Sequence, residues 1–546
     1  MPFVLRGASV VDGTGAPARQ ADVTVDGGVI TAVGDAPTGV EVVDLSGLVL
    51  APGFIDPHTH YDAQVLWDPD VTPSTWHGIT TVVMGNCGFG IAPTRPEHRP
   101  VIMRVLENVE GMPLAALEAG IRWEFETFPE YLDVLERTPT RANLAALVGH
   151  TPVRFSVLGD DATEREATPD ELARMHAVVD GAIRAGAIGF STSRSPGHVG
   201  AYGKPVPSRA ASIDELRTLA RVLRERGEGT FEAVYGPDFW VDELGALAAE
   251  LGRPVTWAAI VTQAADPSYA ADLASRTARI GGSVHPQIAC RPLVVQITLA
   301  DPFPLANVPA FGEILRLPHE KRAARYAMAD WRASARGGIA EHWGTLFDRV
   351  VVDESATHAD LVHGPTISEL AASRNVDPVD VLVDLALAED LCTRFRIVMT
   401  NDDEDQIGEL LGDRGLLLGL SDAGAHTSQL CDANYATHLL ARFVRERKDL
   451  TLEAAIWRLS AHPAEIYGLA DRGVIRAGAA ADLVAFDPDA IGTGQLERVH
   501  DFPGGADRLV SRGTGIEHVW VNGVAVRRDG EDIAGARPGR LLRHGR

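Results

Sequence analysis

Over its first 50 residues the chain alternates apolar and polar positions in short bursts, FVLRGASVV, ADVTVDGG, VITAVGD and VEVVDLSG, broken by Asp-Gly and Gly-Gly. Period-two alternation marks half-buried strands, and those dipeptides are hairpin chemistry. The same texture returns near the far end in ADLVAFDP and GIEHVWVNGVAVRRDGED, followed by an Arg-rich tail. Between the two ends the period changes. Apolar runs (GFIDPHTH, ITTVVMGNC, NLAALVGH, AIGFSTS, GTFEAVYG, PVTWAAIV, GSVHPQIA and LLLGLSDAGAH) alternate with helical stretches. PDELARMHAVVDGAIRAG and SIDELRTLARVLRERG carry Asp and Glu at their starts, where the helix dipole favours anions. Eight strand-helix alternations predict an α/β fold, a (β/α)8 barrel with its active site at the C-terminal ends of the strands. His58, His60, Cys87, His150, Glu232, His285 and Asp422 are expected at or near such ends.

The pattern divides the chain into a strand-rich start at 1–52, a barrel at 53–467 and a strand-rich end with its tail at 468–546. The eighth run stands far from the seventh. The stretch at about 291–398 is too long for one connection and holds helical segments such as LPHEKRAARYAMADWRASA and VDPVDVLVDLALAEDL. An insertion there is expected to act as a lid or specificity element. A length of 546 residues also exceeds what one core supports.

The formal net charge of −25 argues against a nucleic-acid or anionic-membrane partner. Four cysteines, Cys87, Cys290, Cys392 and Cys431, have neither Cys-x-x-Cys spacing nor the density of a disulfide scaffold, which suits a reducing compartment. MPFVLRGASVV is too short an apolar run for a signal peptide, and no stretch approaches a membrane span. Cytoplasm is the expected location.

His58 and His60, spaced i, i+2 at the end of the first barrel run, present their imidazoles to one face of a strand. Two imidazoles meet half the demand of a tetrahedral catalytic zinc; the alternative is a pair of structural histidines. His150, at the end of the third run, is a candidate for stabilising an oxyanion. His285 and Arg291 flank PQIACRP after the seventh run, where an arginine can hold a substrate carboxylate. The Gly/Pro-rich stretch at 193–209 is expected to line the substrate mouth. The aromatic residues of IRWEFETFPEYL are expected to pack a helix.

The stretches VLAPGFIDPHTHYD, HGITTVVMGNCGFGIAP, LSDAGAH and HPAEIYGLADRGVIRAGAAADLVAFDP resemble the amidohydrolase superfamily, and most closely its N-acyl-D-amino-acid deacylase branch. Gly85-Asn86-Cys87-Gly88 is the most branch-specific piece. The resemblance spans essentially the whole chain. It implies a distorted barrel flanked by a small β-sandwich built from both chain ends, and a metal site that activates water for attack on an amide. His58 and His60 then correspond to the strand-one ligands, and Asp422 to the strand-eight carboxylate that binds metal and shuttles the proton. His426 is a candidate for orienting Asp422 beside the substrate.

Many members of the superfamily bridge two metals with a carboxylated lysine on strand four. This chain has three lysines, Lys204, Lys321 and Lys448, none of them at a strand end. The deacylase branch uses a strand-two cysteine instead, and Cys87 stands in that place. A second metal position in that branch takes histidines from strands five and six, yet no histidine occurs between His198 and His285. Glu232, Tyr235 and Gln263 are the polar residues those strands offer. The expected site is therefore one divalent metal, zinc ahead of manganese or iron, on His58, His60 and Asp422, with Cys87 or Glu232 as fourth ligand. The expected substrate is a small non-peptide amide, an N-acyl-D-amino acid first and a cyclic amide of hydantoinase type second. A non-catalytic scaffold with an incomplete metal site is the reading from another class. The oligomeric state is open, a homo-oligomer included.

Overall fold

The computed structural model describes residues 2–34, 37–263 and 266–544. All eight predicted barrel runs form strands of one parallel sheet: β1 (Phe54–Thr59), β2 (Ile79–Met84), β3 (Asn143–Gly149), β4 (Gly189–Ser193), β5 (Thr230–Val234), β6 (Val255–Ile260), β7 (Val284–Ile288) and β8 (Leu417–Leu418). They neighbour one another in chain order, and the sheet closes through a bridge between Thr59 and Ala423. With only two residues in β8, and irregular register between β1 and β2, the barrel is distorted. Its strands are buried on both faces, which explains why they read as continuous apolar runs rather than as alternations.

Three helices bear on the site. Helix α1 (Arg99–Glu110) buries Ile102, Met103, Val105, Leu106 and Val109, and ends where Gly111 turns left-handed. Helix α2 (His150–Leu158) follows β3 without a loop. Helix α3 (Ile213–Arg226) is capped by Ser212, whose Oγ accepts the Glu215 amide.

Among the described residues the chain ends form three further sheets, one of them the pair Gly492–Val499 and Arg508–Thr514. A seven-stranded sheet interleaves Val49–Pro52, Ser9–Val10 and Arg19–Gln20 with Leu483–Phe486, Ile516–Val521, Val524–Arg528 and Glu531–Asp532. The third sheet holds Phe3–Arg6, Asp22–Asp26, Val29–Gly34 and Glu41–Asp44. Leu5, Val23, Val25, Ile30, Leu50, Leu483 and Trp520 share one core with them. The Arg-rich tail runs beside β3: Leu144 donates to the Arg540 carbonyl, and Leu542 donates to that of Leu144.

A separate compact unit comprises Pro292–Asp402 and Ser428–Leu430. The helical stretches expected there are present at His319–Tyr326, Ala329–His342 and Pro378–Leu387. The sequence reading did not foresee its antiparallel sheet of Leu293–Thr298, Arg394–Thr400 and Val350–Glu354. Val295, Ile297, Val352, Phe395 and Ile397 turn from that sheet into a core with Phe311, Trp331 and Leu382. Among the described residues no helix is long and apolar enough to cross a membrane.

Candidate metal centre

His58 lies in β1 and His60 one residue beyond its end, while the intervening Thr59 turns the other way and donates to the Val83 carbonyl at 2.8 Å. The segment after β8 is laced to this one. Ser421 Oγ donates to the His58 carbonyl at 3.1 Å, and the His60 amide donates to the Ala423 carbonyl at 2.7 Å. Gly424 permits this approach, since a Cβ there would lie 2.6 Å from the His60 carbonyl oxygen. The lacing delivers Asp422 to the two histidines.

Cys87 sits in the turn after β2 with φ +58, a conformation an L-residue keeps only where its surroundings enforce it. Here they do. The Cys87 amide donates to Glu232 Oε2 at 2.8 Å, the Gly85 amide to Asp62 Oδ2 at 3.0 Å and the Gly88 amide to Ser191 Oγ at 3.1 Å. Asn86 Nδ2 reaches the Val83 carbonyl at 3.0 Å.

Four donor atoms converge as a result. Asp422 Oδ1 is 3.1 Å from His58 Nε2 and 3.7 Å from His60 Nε2, and Cys87 Sγ is 3.3 and 3.9 Å from the same two nitrogens. The ligand atoms of His58, His60 and Cys87 all lie within 4.8 Å of one another, a grouping that could hold one ion, and Asp422 Oδ1 stands beside its two imidazoles. A further sign is Glu232 Oε1, which is buried without a hydrogen-bond partner in the described structure. Asp422 is the most exposed of the four donors and borders the mouth of the site.

The supporting contacts fix which nitrogen of each ring faces inward. Gln287 Oε1 lies 2.6 Å from His58 Nδ1, and an amide oxygen only accepts, so Nδ1 carries a proton and Nε2 is the nitrogen turned toward Cys87 and Asp422. Gln287 Nε2, 3.4 Å from Thr256 Oγ1, holds that amide orientation. At His60, Glu110 Oε1 stands 3.5 Å from Nδ1. Burial pushes Glu110 well above the usual carboxylate range and Glu232 up to about 7, and the Asp422 charge adds to both shifts. Burial opposes a charge on His58, but Asp422 and Glu232 lift it to about 9. His60 is pushed down to about 4 by burial and by its neighbour His58. So many buried acidic groups beside two imidazoles suit a bound cation, whose charge would relieve their mutual repulsion.

Other expected site residues lie elsewhere. His150 is fully buried, with Nδ1 2.9 Å from Thr192 Oγ1 and Nε2 2.9 Å from Glu215 Oε1. Both nitrogens of the ring expected to stabilise an oxyanion are thus engaged in this network. His285 is the second residue of β7, two positions before Gln287, and packs on His462 with ring centroids 5.9 Å apart. Two strand residues amount to about 6–7 Å, which places His285 toward the N-terminal end of the barrel, away from the donors. Arg291 does lie past the C-terminal end of β7, and its Nε pairs with Asp432 Oδ1 at 3.0 Å. His426 donates its amide to the Glu110 carbonyl and neighbours His60 electrostatically. Its ring lies beside Gly111. Lys204 is on the surface, paired with Glu164 at 2.7 Å.

Gln287, Glu110 and His198 were not among the expected site residues. The period-two pattern of VHPQI puts Gln287 on the inward face with His285, a usable signal. Glu110 has no local signal, being the last residue of an amphipathic helix.

Comparison with known proteins agrees with this geometry. The amidohydrolase family profile matches residues 41–527. An N-acyl-D-aspartate deacylase from Alcaligenes xylosoxydans xylosoxydans is 33% identical over 548 residues, covering 100% of this chain and 95% of its own. The solved N-acyl-D-glutamate deacylase of Bordetella bronchiseptica, complexed with zinc and a phosphonate mimic of the tetrahedral intermediate, superimposes with TM-score 0.69 at 28% identity over 99% of both chains. A D-aminoacylase with a binuclear metal center, described by one-metal activation and second-metal attenuation, gives TM-score 0.68 at 28% identity over 99% of both chains. With its profile match, barrel and donor set in agreement, the chain belongs to the amidohydrolase family.

Proposed function

We propose that this protein hydrolyses the amide bond of an N-acyl-D-amino acid, releasing a carboxylate and the free D-amino acid. The observation that carries this reading is the convergence of His58 Nε2, His60 Nε2, Cys87 Sγ and Asp422 Oδ1 beyond the C-terminal ends of β1, β2 and β8. These residues would hold a divalent cation, zinc by the match of imidazole and thiolate donors, which supplies the charge that lowers the pKa of water and polarises the amide carbonyl. Asp422, the donor open to the mouth, takes a proton from the attacking water and returns it to the leaving nitrogen as the C–N bond breaks. Gln287 keeps His58 in the tautomer that leaves Nε2 available.

The same geometry supports a reading of one ion per chain. Among the described residues one group of three His, Cys or carboxylate side chains has ligand atoms close enough to share an ion, and it is His58, His60 and Cys87. Strand five contributes Glu232, one of whose oxygens is already bound to the Cys87 amide. The open-chain amide is favoured over a ring because the deacylase relative matches along the full chain. A three-residue donor group with Asp422 beside it argues against a non-catalytic scaffold.

Turnover of a panel of N-acetyl-D-amino acids, their L-enantiomers and hydantoins tests the reading, on protein purified without chelator. Preference for the D-acyl compounds is expected, with metal near one equivalent after dialysis. Faster ring opening would overturn the substrate assignment, and a value near two the stoichiometry. Asp422→Asn should lower turnover by at least about 10²–10⁴-fold with the fold intact.

A further inference from the structure

The loop after β4 is rich in glycine and proline, yet it is tied down at many points. Arg194 Nη1 donates to the carbonyls of Ser208 and Ala211, both at 2.8 Å, and Ser208 Oγ donates to the Ser193 carbonyl at 2.7 Å. Arg209 Nη1 reaches the carbonyls of Pro196 and His198 at 3.2 and 3.3 Å. A turn bond from the His198 amide to the Ser195 carbonyl, at 3.2 Å, completes the frame. The residue held by all of this is His198.

Its ring lies 5.3 Å from Phe89, two residues beyond Cys87, and has His426, His60 and Asp422 as electrostatic neighbours. Nδ1 is 2.7 Å from Ser193 Oγ, and that oxygen already accepts the Ser195 amide at 3.2 Å. The arrangement that satisfies all three groups has the Ser193 hydroxyl donating to Nδ1, which leaves the imidazole proton on Nε2. Among the described hydrogen bonds Nε2 has no partner, and the residue is half-buried rather than sealed. His150, with both nitrogens engaged, lacks any such free donor.

We propose that His198 is a catalytic residue whose Nε2–H donates a hydrogen bond to the amide oxygen as the tetrahedral intermediate forms. In that step the water oxygen bonds to the carbonyl carbon, the π pair moves onto the carbonyl oxygen and the water proton passes to Asp422. His198 stabilises the resulting negative charge without transferring its own proton. A donor fixed in advance by Ser193 needs no reorganisation when charge develops, the condition under which such bonds are worth most.

The inference rests on the proposed amide hydrolysis, and the experiment separates the two. Wild type, His198→Ala and His198→Gln are compared for metal content, kcat, KM and affinity for a phosphonate mimic of the acyl-D-amino acid intermediate. His198→Ala should keep its metal and a near-normal KM, lose about 10²–10³-fold in kcat, and lose phosphonate affinity by the same factor as kcat/KM. His198→Gln, which keeps an N–H donor, should recover part of both. A kcat within about threefold of wild type in His198→Ala, or a loss confined to KM, overturns the assignment and leaves amide hydrolysis standing. Loss of metal from both variants overturns it in favour of a structural role. A metal-loaded wild type that neither hydrolyses the amides nor binds the phosphonate removes both proposals.

Discussion

Two buried clusters built on histidine lie around the same barrel, and they differ in saturation. Around His150 the network of titratable groups is matched: Thr192 and Glu215 take its nitrogens, Arg154 donates to both Glu215 oxygens, and the rest of that guanidinium caps the carbonyls of Ala162 and Arg165. Around His58 the donors face one another, Glu232 Oε1 has no partner, and acidic groups raise one another's pKa values. His150 and His58 are both buried. A complete set stabilises the fold; an incomplete one is completed by a ligand. Saturation, more than burial or residue type, separates a structural histidine from a functional one here.

Removing the donors gives the largest test of this contrast. His58→Ala with His60→Ala should abolish both turnover and stoichiometric metal while the circular dichroism of the barrel persists. Elemental analysis near one equivalent in that variant would make the two clusters alike. The opposite manipulation belongs to the saturated cluster. Glu215→Ala leaves Arg154 as an uncompensated buried charge and should cost about 3–5 kcal/mol in denaturant unfolding, with metal content per folded chain unchanged. A loss below about 1 kcal/mol would mean that this network is not structural.

A smaller effect is expected at Gln287, which touches the site only through His58. Gln287→Leu should weaken metal binding about 10–100-fold in chelator competition, because His58 Nδ1 loses the acceptor that fixes its tautomer. Unchanged affinity would place tautomer control elsewhere.

The smallest effect is in pH. Burial alone would raise Glu215, but His150 and Arg154 bring it down from 4.5 to about 2. A depressed carboxylate pKa stabilises the fold above the unfolded value and ceases to do so as pH falls through the folded one. The wild type should therefore lose this contribution between about pH 4.5 and 2, and Glu215→Gln should show a flatter profile across that window. Parallel profiles would remove Glu215 from acid unfolding.

The barrel was legible because its determinants are local. Apolar runs such as ITTVVMGNC and NLAALVGH are strands whichever partners they meet, and helix signals such as Thr168 with Glu171 form the capping box seen in the structure. The strand-one histidines were legible for the same reason, since the strand period alone puts His58 and His60 on one face. The sheet of the 292–402 unit was missed because LVVQIT and RFRIVMT pair across about a hundred residues, and pairing over that separation leaves no local mark.

What this sequence determined by itself was therefore the set of elements and one half of the donor set, both written in periods of two and 3.6. Tertiary structure decided the rest. Asp422 and Cys87 become neighbours of His58 only when β8 and β2 flank β1 in the closed sheet, and Glu232 holds the strained Cys87 turn from across the barrel. His150 and His198 look equivalent as isolated histidines beyond strand ends. They part company because Glu215, far along the chain in α3, fills the second nitrogen of one and no described side chain fills that of the other. Hydrogen-bond saturation is a property of contacts between distant segments, so it enters only when the chain has folded.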